Sequence, residues 1–252
     1  MNDDIVPGLL EEINKIFKLK TGESAKLKNL MAQFKTNDVS YIDANEFAIE
    51  LGNILSGVFG EVITPELLPD GKMYFNIADR VLNETLGNNH KLITEFTTVV
   101  QKNLNEKSGL HLKAQVPKLD KDRLDGLVNK LASAEKYEDV QWLLDDPIVN
   151  FSQHVVDQSI EKNISFQYSA GLRPTITRKL LGHGCDWCRN LAGTYNYHEE
   201  PDEIYHRHER CRCTVEYNPV DKRGIQNSHT KQWRQQTGGD FYNGANNGKL
   251  QS

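Results

Sequence analysis

Apolar positions in the first 170 residues recur at the three- and four-residue spacing of amphipathic helices. Ile5, Leu9, Ile13 and Ile16 form one stripe, and Phe47, Leu51, Ile54 and Val58 form a second. Leu92, Phe96, Val100 and Leu104 make a third, which Ser108-Gly109 is predicted to stop. Thr64-Pro65-Glu66 has the form of a helix start, with Thr as the cap and Pro at the first helical position. Leu124, Leu127, Val128 and Leu131 mark a further short helix. Asp146-Pro147 then opens a long one, whose inner face carries Ile148, Phe151, Val155 and Ile160. Between the third stripe and Leu124, residues 110–122 read as a linker with a short extended piece.

The pattern changes near Ala170-Gly171. "RPTITRKLLG" has the β-branched content of a strand, and "GTYNY" and "CRCTVEY" alternate like two more that pair with it as a small sheet. From Asp221 onward the chain is polar and rich in Gly, Asn and Gln, the composition of a disordered tail. The expected organisation is a helical region over 1–110, a linker and helices over 111–170, a Cys/His module with short strands over 171–220, and a polar tail over 221–252. The fold class is therefore a mainly α N-terminal body with a small C-terminal α+β, zinc-knuckle-like module.

All four cysteines of the 252 residues fall between Gly184 and Val215, as a Cys-x2-Cys pair (Cys185, Cys188) and a Cys-x-Cys pair (Cys211, Cys213). His206 and His208 precede the second pair. A Cys-x2-Cys turn sets two thiolates side by side, and a second soft-ligand pair some twenty residues later completes the spacing of a structural zinc site. More candidate ligands are present than the four a tetrahedral site takes: Cys185, Cys188, His208, Cys211 and Cys213, with His183 and His206 outside the set. If Cys211 and Cys213 share a strand, alternate positions face one way and all four cysteines can meet one ion, with His208 as a hydrogen-bonding neighbour. The rival set is Cys185, Cys188, His208 and Cys211, with Cys213 buried as a small apolar residue. Reduced, packed cysteines or a disulfide are the readings without metal.

Composition narrows the setting. The chain is 38% hydrophobic and 26% charged, with a net charge of -5. No stretch approaches the roughly 20 apolar residues of a membrane span. The start, "MNDDIVPGLLEEINKIF", lacks the basic flank and apolar run of a signal peptide, so folding in a reducing cytoplasm is expected. There, clustered cysteines favour metal over disulfides. Residues 171–252 hold 12 Lys/Arg against 9 Asp/Glu, while the front of the chain is acidic. That balance permits nucleic-acid contact without arguing for it; a DNA-binding module would depend on Arg207, Arg210 and Arg212. Trp187, Tyr195, Tyr197, Tyr205 and Tyr217 could form a base-stacking platform, but the simpler role is to fill the core of a small module. The acidic run Glu199, Glu200, Asp202 and Glu203 beside His206 and His208 raises a zinc-knuckle nuclease as an alternative. Nuclease chemistry needs a second, hard-ligand metal with open positions. No glycine-rich phosphate loop or Gly-x-Ser-x-Gly turn is present, so no catalytic residue is assigned.

The run "CDWCRNLAGTYNY … YHRHERCRCTVEYNP" resembles the C-terminal signature of minor head proteins of tailed bacteriophages, the head-morphogenesis or Mu F-like family. Its elements here are Cys185, Cys188, Leu191-Ala192-Gly193, His208, Cys211, Cys213 and Pro219. The likeness covers residues 148–235. It implies a non-enzymatic capsid component of the virion, located in the head near the portal and assembled in the host cytoplasm. It further implies the portal protein as partner, with the major capsid or scaffold protein and DNA as further candidates, and a part in head morphogenesis and in DNA packaging or ejection. A structural Zn2+ fits such a module, because metal binding would supply folding energy to a region with little core. On this reading, Cys185→Ser or Cys188→Ser unfolds the module and leaves the N-terminal helices largely intact.

Overall fold

The computed structural model describes residues 4–182 and 184–219, together with the backbone of two short strands, Ile225–Asn227 and Gln232–Arg234. Six helices build the body: α1 (Val6–Glu23), α2 (Ala25–Lys35), α3 (Tyr41–Val62), α4 (Phe75–Lys107), α5 (Lys121–Ala132) and α6 (Asp146–Ser169). Polar side chains start several of them. Ser24 accepts from Leu27 N to cap α2. Ser40 and Asp43 form a reciprocal box at the start of α3, and Asp120 accepts from Arg123 N at α5. At the end of α4, Gly109 turns left-handed (φ 68), so that Leu110 N reaches back to Asn105 O at 2.8 Å. Gly171 ends α6 in the same way, with Leu172 N bonded to Gln167 O at 3.1 Å.

The stripes of α1 and α3 and the α6 face turn inward as their spacing predicts, while in the third stripe Phe96 and Val100 are buried, Leu104 is half-buried and Leu92 is exposed. One core gathers Leu9 and Ile13 of α1 with Val58, Leu82, Leu124, Leu131, Ile148 and Phe151. A second gathers Leu27, Phe47, Leu51, Phe96, Val155 and Ile160. Where α3 meets α6, a Cβ on Gly52 would stand 2.8 Å from the Cα of Val149, so the two backbones approach as only glycine allows. Among the described residues, no helix is long and apolar enough to cross a membrane.

Thr64-Pro65-Glu66 does not open a helix. Leu67 N and Leu68 N bond back to Thr64 O and Pro65 O for a single turn. Pro69 follows, and the residue before a proline is driven out of the helical region: Leu68 is extended, with ψ 137°. The linker is irregular from Leu110 to Asp120, and its last two residues already belong to α5. It lies against α6, where Asn163 holds both the N–H and the carbonyl of Gln115 at 2.8 Å.

The C-terminal sheet is antiparallel in the order β2-β1-β3, from β1 (Thr175–Lys179), β2 (Gly193–Asn196) and β3 (Thr214–Asn218). A six-residue helix, α7 (Asp186–Leu191), joins β1 to β2. Ile176, Val215 and Tyr217 of the sheet share the second core with α2, α3, α4 and α6. The module is thus packed onto the helical body through a common apolar layer. The expected polar tail falls largely outside the described residues. Within it, β4 (Ile225–Asn227) and β5 (Gln232–Arg234) pair antiparallel.

Candidate metal centre

The centre is built from α7, the turn before β3, and one residue of β1. Cys185 is the N-cap of α7, and its Sγ accepts from Cys188 N at 3.4 Å. The Cys-x2-Cys spacing thus becomes one turn of backbone with both sulfurs on one side. Arg210 adopts a left-handed φ of 57°, and Cys211 N bonds back to His208 O at 3.1 Å. That tight turn brings the imidazole of His208 and the thiol of Cys211 to the same side.

Cys188 lies at the focus. His208 Nε2 stands 3.0 Å from Cys188 Sγ and 3.3 Å from Cys185 Sγ, and Cys211 Sγ is 3.8 Å from Cys188 Sγ. Two triplets of donors result, Cys185-Cys188-His208 and Cys188-Cys211-Cys213, each with its ligand atoms within 4.8 Å of one another. Cys188, Cys211 and Cys213 are buried at 1%, 2% and 3% exposure, against Leu180 and Trp187. Cys185 is exposed, and none of the four is in a disulfide.

This donor set fits a metal ion. Zinc–sulfur bonds of about 2.3 Å in a tetrahedron separate neighbouring sulfurs by about 3.8 Å, which is the Cys188–Cys211 separation. His208 has its Nδ1 2.6 Å from the carbonyl of Glu209. The carbonyl can only accept, so Nδ1 carries a proton and Nε2 is the ring nitrogen turned to the sulfurs; in the neutral ring this is the arrangement of a ligating histidine. Trp187 packs edge-on to that ring at 5.7 Å and donates to Glu203 at 2.9 Å. The Cys/His cluster could therefore bind a metal ion.

The sequence expectation for the second pair needs one correction. Cys211 and Cys213 are not strand neighbours; β3 begins at Thr214, and both cysteines precede it in irregular backbone. Strand alternation is therefore not what turns their thiols inward. The cause is the left-handed turn at Arg210 together with the contacts of this loop to α6. Hydrogen bonding from Cys213 holds the Cys211 thiol down at about 4, with the Arg207 and Arg178 guanidinium groups adding to it. Its bond to Cys211, and then burial, push Cys213 up, and burial raises Cys188. His206 contributes its carbonyl rather than its ring, accepting from Arg178 NH1 at 2.9 Å. His183 lies outside the described residues.

One face of α6 holds the ligand loop, and no motif pointed to it. Asp146 accepts from Arg210 N at 2.6 Å and from Arg212 NH2 at 2.8 Å. Asn150 donates to the His208 carbonyl at 3.3 Å. Gln153, its amide turned to match donor with acceptor, meets the Cys211 carbonyl and Arg207 NH1 at 2.9 Å each. Asp157 takes the Arg207 guanidinium in two bonds of 2.6 and 2.7 Å. The spacing 146, 150, 153, 157 is a helical stripe of polar residues, a signal hidden because polar positions are normally read as solvent-facing. Two of the three arginines that a DNA-binding reading needs, Arg207 and Arg212, are thus engaged internally. Arg210 is exposed beside Glu209. The module's aromatics mostly fill its interior: Tyr217 is buried, and Tyr195, Tyr197 and Tyr205 pack against the second core.

Comparison of the chain with known protein families, with curated proteins and with solved structures returned no match.

Proposed function

We propose that this chain is a non-enzymatic minor head protein of a tailed bacteriophage, bound at the portal and acting in head morphogenesis and the passage of DNA, with a structural zinc ion clipping its C-terminal module. One observation carries the reading. Cys-x2-Cys, Leu-Ala-Gly and His-x2-Cys-x-Cys occur in the order of the family signature, and their donors converge on Cys188. Convergence distinguishes a folded metal module from a chance run of cysteines. The burial of Cys188, Cys211 and Cys213 suits a closed structural site, which keeps no position open for substrate.

The role of the metal follows from the size of the module. Three short strands and a six-residue helix enclose little apolar volume of their own. Ligand binding would tie the turn at Cys185 to the turn at His208, supplying folding energy where packing is thin. The sheet would then present a fixed surface for assembly.

The test is co-expression with the portal protein of the same phage, followed by affinity capture and elemental analysis of the captured chain. The expected result is co-purification with one zinc per chain, lost together when Cys188 is replaced by serine. Absence of portal association under assembly conditions, with zinc retained, would overturn the assembly role and leave a zinc-stabilised protein of another function.

A further inference from the structure

Arg178 is the largest of the fully buried side chains, at 2% exposure, and it occupies the inward position of β1 next after Ile176. A guanidinium keeps its charge in any protein interior, and burying it without an anion is very costly. Its NH1 donates to the carbonyls of Ile204 and His206 at 2.6 and 2.9 Å. Its NH2 points at Cys211 Sγ, 3.6 Å away, and Cys188 Sγ, 4.0 Å away. Trp187 covers one face of the group at 5.3 Å, and Nε is buried with no partner. Among the described residues, these carbonyls and sulfurs are its polar partners, and no carboxylate is among them.

Of the described groups it contacts, the sulfurs are the ones able to carry negative charge. The other buried arginine nearby, Arg207, is already neutralised by Asp157. A buried cation facing two sulfurs, with no carboxylate, is a favourable arrangement when those sulfurs are thiolates, and a coordinated metal ion would hold both in that form at once.

We propose that Arg178 is the positioning and charge-compensating residue of the metal centre, holding the thiolates of Cys188 and Cys211 from below while fixing the 204–206 segment that leads to His208. This rests on the metal reading above and goes beyond it by assigning a residue outside the Cys/His motif. Removing such a partner of metal ligands typically weakens metal binding roughly 10- to 100-fold.

Zinc affinity of the full chain, measured by competition with a chelating dye, tests this for wild type, Arg178→Lys, Arg178→Gln and Arg178→Met. Cobalt-loaded samples give the intensity of thiolate-to-metal charge transfer, which a purely structural role would leave unchanged in any variant that folds. The expected result is that Lys, keeping the charge, retains most of the affinity and the band. Gln and Met should lose roughly 10- to 100-fold. Gln and Met binding as tightly as Lys, or Lys falling as far as they do, would overturn the assignment. If the Met variant does not fold, the Lys–Gln pair decides. A wild type that binds neither zinc nor cobalt would overturn the metal reading itself, a result distinct from binding that is indifferent to residue 178.

Discussion

Arg207, just ahead of the ligand loop, closes a two-bond ion pair with Asp157 of α6, Nε to Oδ2 at 2.6 Å and NH2 to Oδ1 at 2.7 Å, with the side chains 4% and 1% exposed. The same guanidinium donates to the Cys213 carbonyl at 2.7 Å. One buried pair therefore couples the turn that carries His208, Cys211 and Cys213 to the helical body. Asp157→Asn leaves a buried guanidinium uncompensated, and breaking such a pair costs on the order of 3–5 kcal/mol. Denaturant unfolding of the variant should show a loss of this size. A loss under about 1 kcal/mol, the range of exposed pairs, would mean the pair is solvated in solution.

Cys188→Ser should be felt beyond the module. Cys188 belongs to both donor triplets, and Asp146, Asn150, Gln153 and Asp157 all contact the ligand loop. Hydrogen exchange in the variant is expected to quicken across residues 175–218 and along the 146–157 face of α6, while α1, whose residues pack in the other core, stays protected. This revises the expectation that the helices remain largely unaffected. Unchanged exchange in α6 would show that the module unfolds by itself.

Gly52→Ala tests the closest approach of α3 and α6. The new methyl would meet Val149 Cα at 2.8 Å and Ser152 Oγ at 3.0 Å, and backbone cannot retreat as a flexible side chain can. A destabilisation of roughly 1–3 kcal/mol is expected, the cost of overpacking, despite the better helix propensity of alanine. A stabilised variant would refute the close contact.

His154 pairs with Asp120 at 2.9 Å, linking α6 to the N-cap of α5. Burial, followed by the field of Arg123, holds its pKa below the ordinary histidine value of 6.5. The unfolded chain therefore takes up the proton first as pH falls. Stability from the neutral ring is complete above about pH 6.5 and is lost as pH drops from there through the lowered folded value. Measured against His154→Gln, which does not titrate, the wild type should lose stability more steeply on acidification below pH 6.5. Parallel curves would show that the ring is solvated.

Much of this architecture was legible along the chain. Stripes such as Phe47-Leu51-Val58 and the pair Phe96-Val100 became buried helix faces because apolar spacing of three and four leaves a helix only one way to hide them; Leu92, at the edge of its stripe, stayed exposed. Asp146-Pro147 and Ser108-Gly109 marked real ends, since proline's fixed φ in the first turn and left-handed closure are local chemistry. The pairing of Thr175–Lys179 with two later strands also followed from local pattern. The Cys-x2-Cys spacing already set Cys185 and Cys188 side by side as donors, because one tight turn places both sulfurs on one side.

Three things belonged to the tertiary structure. Cys211 and Cys213 face inward through a turn held by Asp146, a residue 64 positions from Arg210. Arg178 reads as an ordinary strand residue and proves to be the buried cation at the sulfurs. The stripe 146-150-153-157 grips the ligand loop although each of its residues is polar. The reason is common to all three. Hydrophobic burial is periodic and so leaves its signature in sequence, whereas a buried polar group is satisfied by one specific partner, and only the folded chain specifies which.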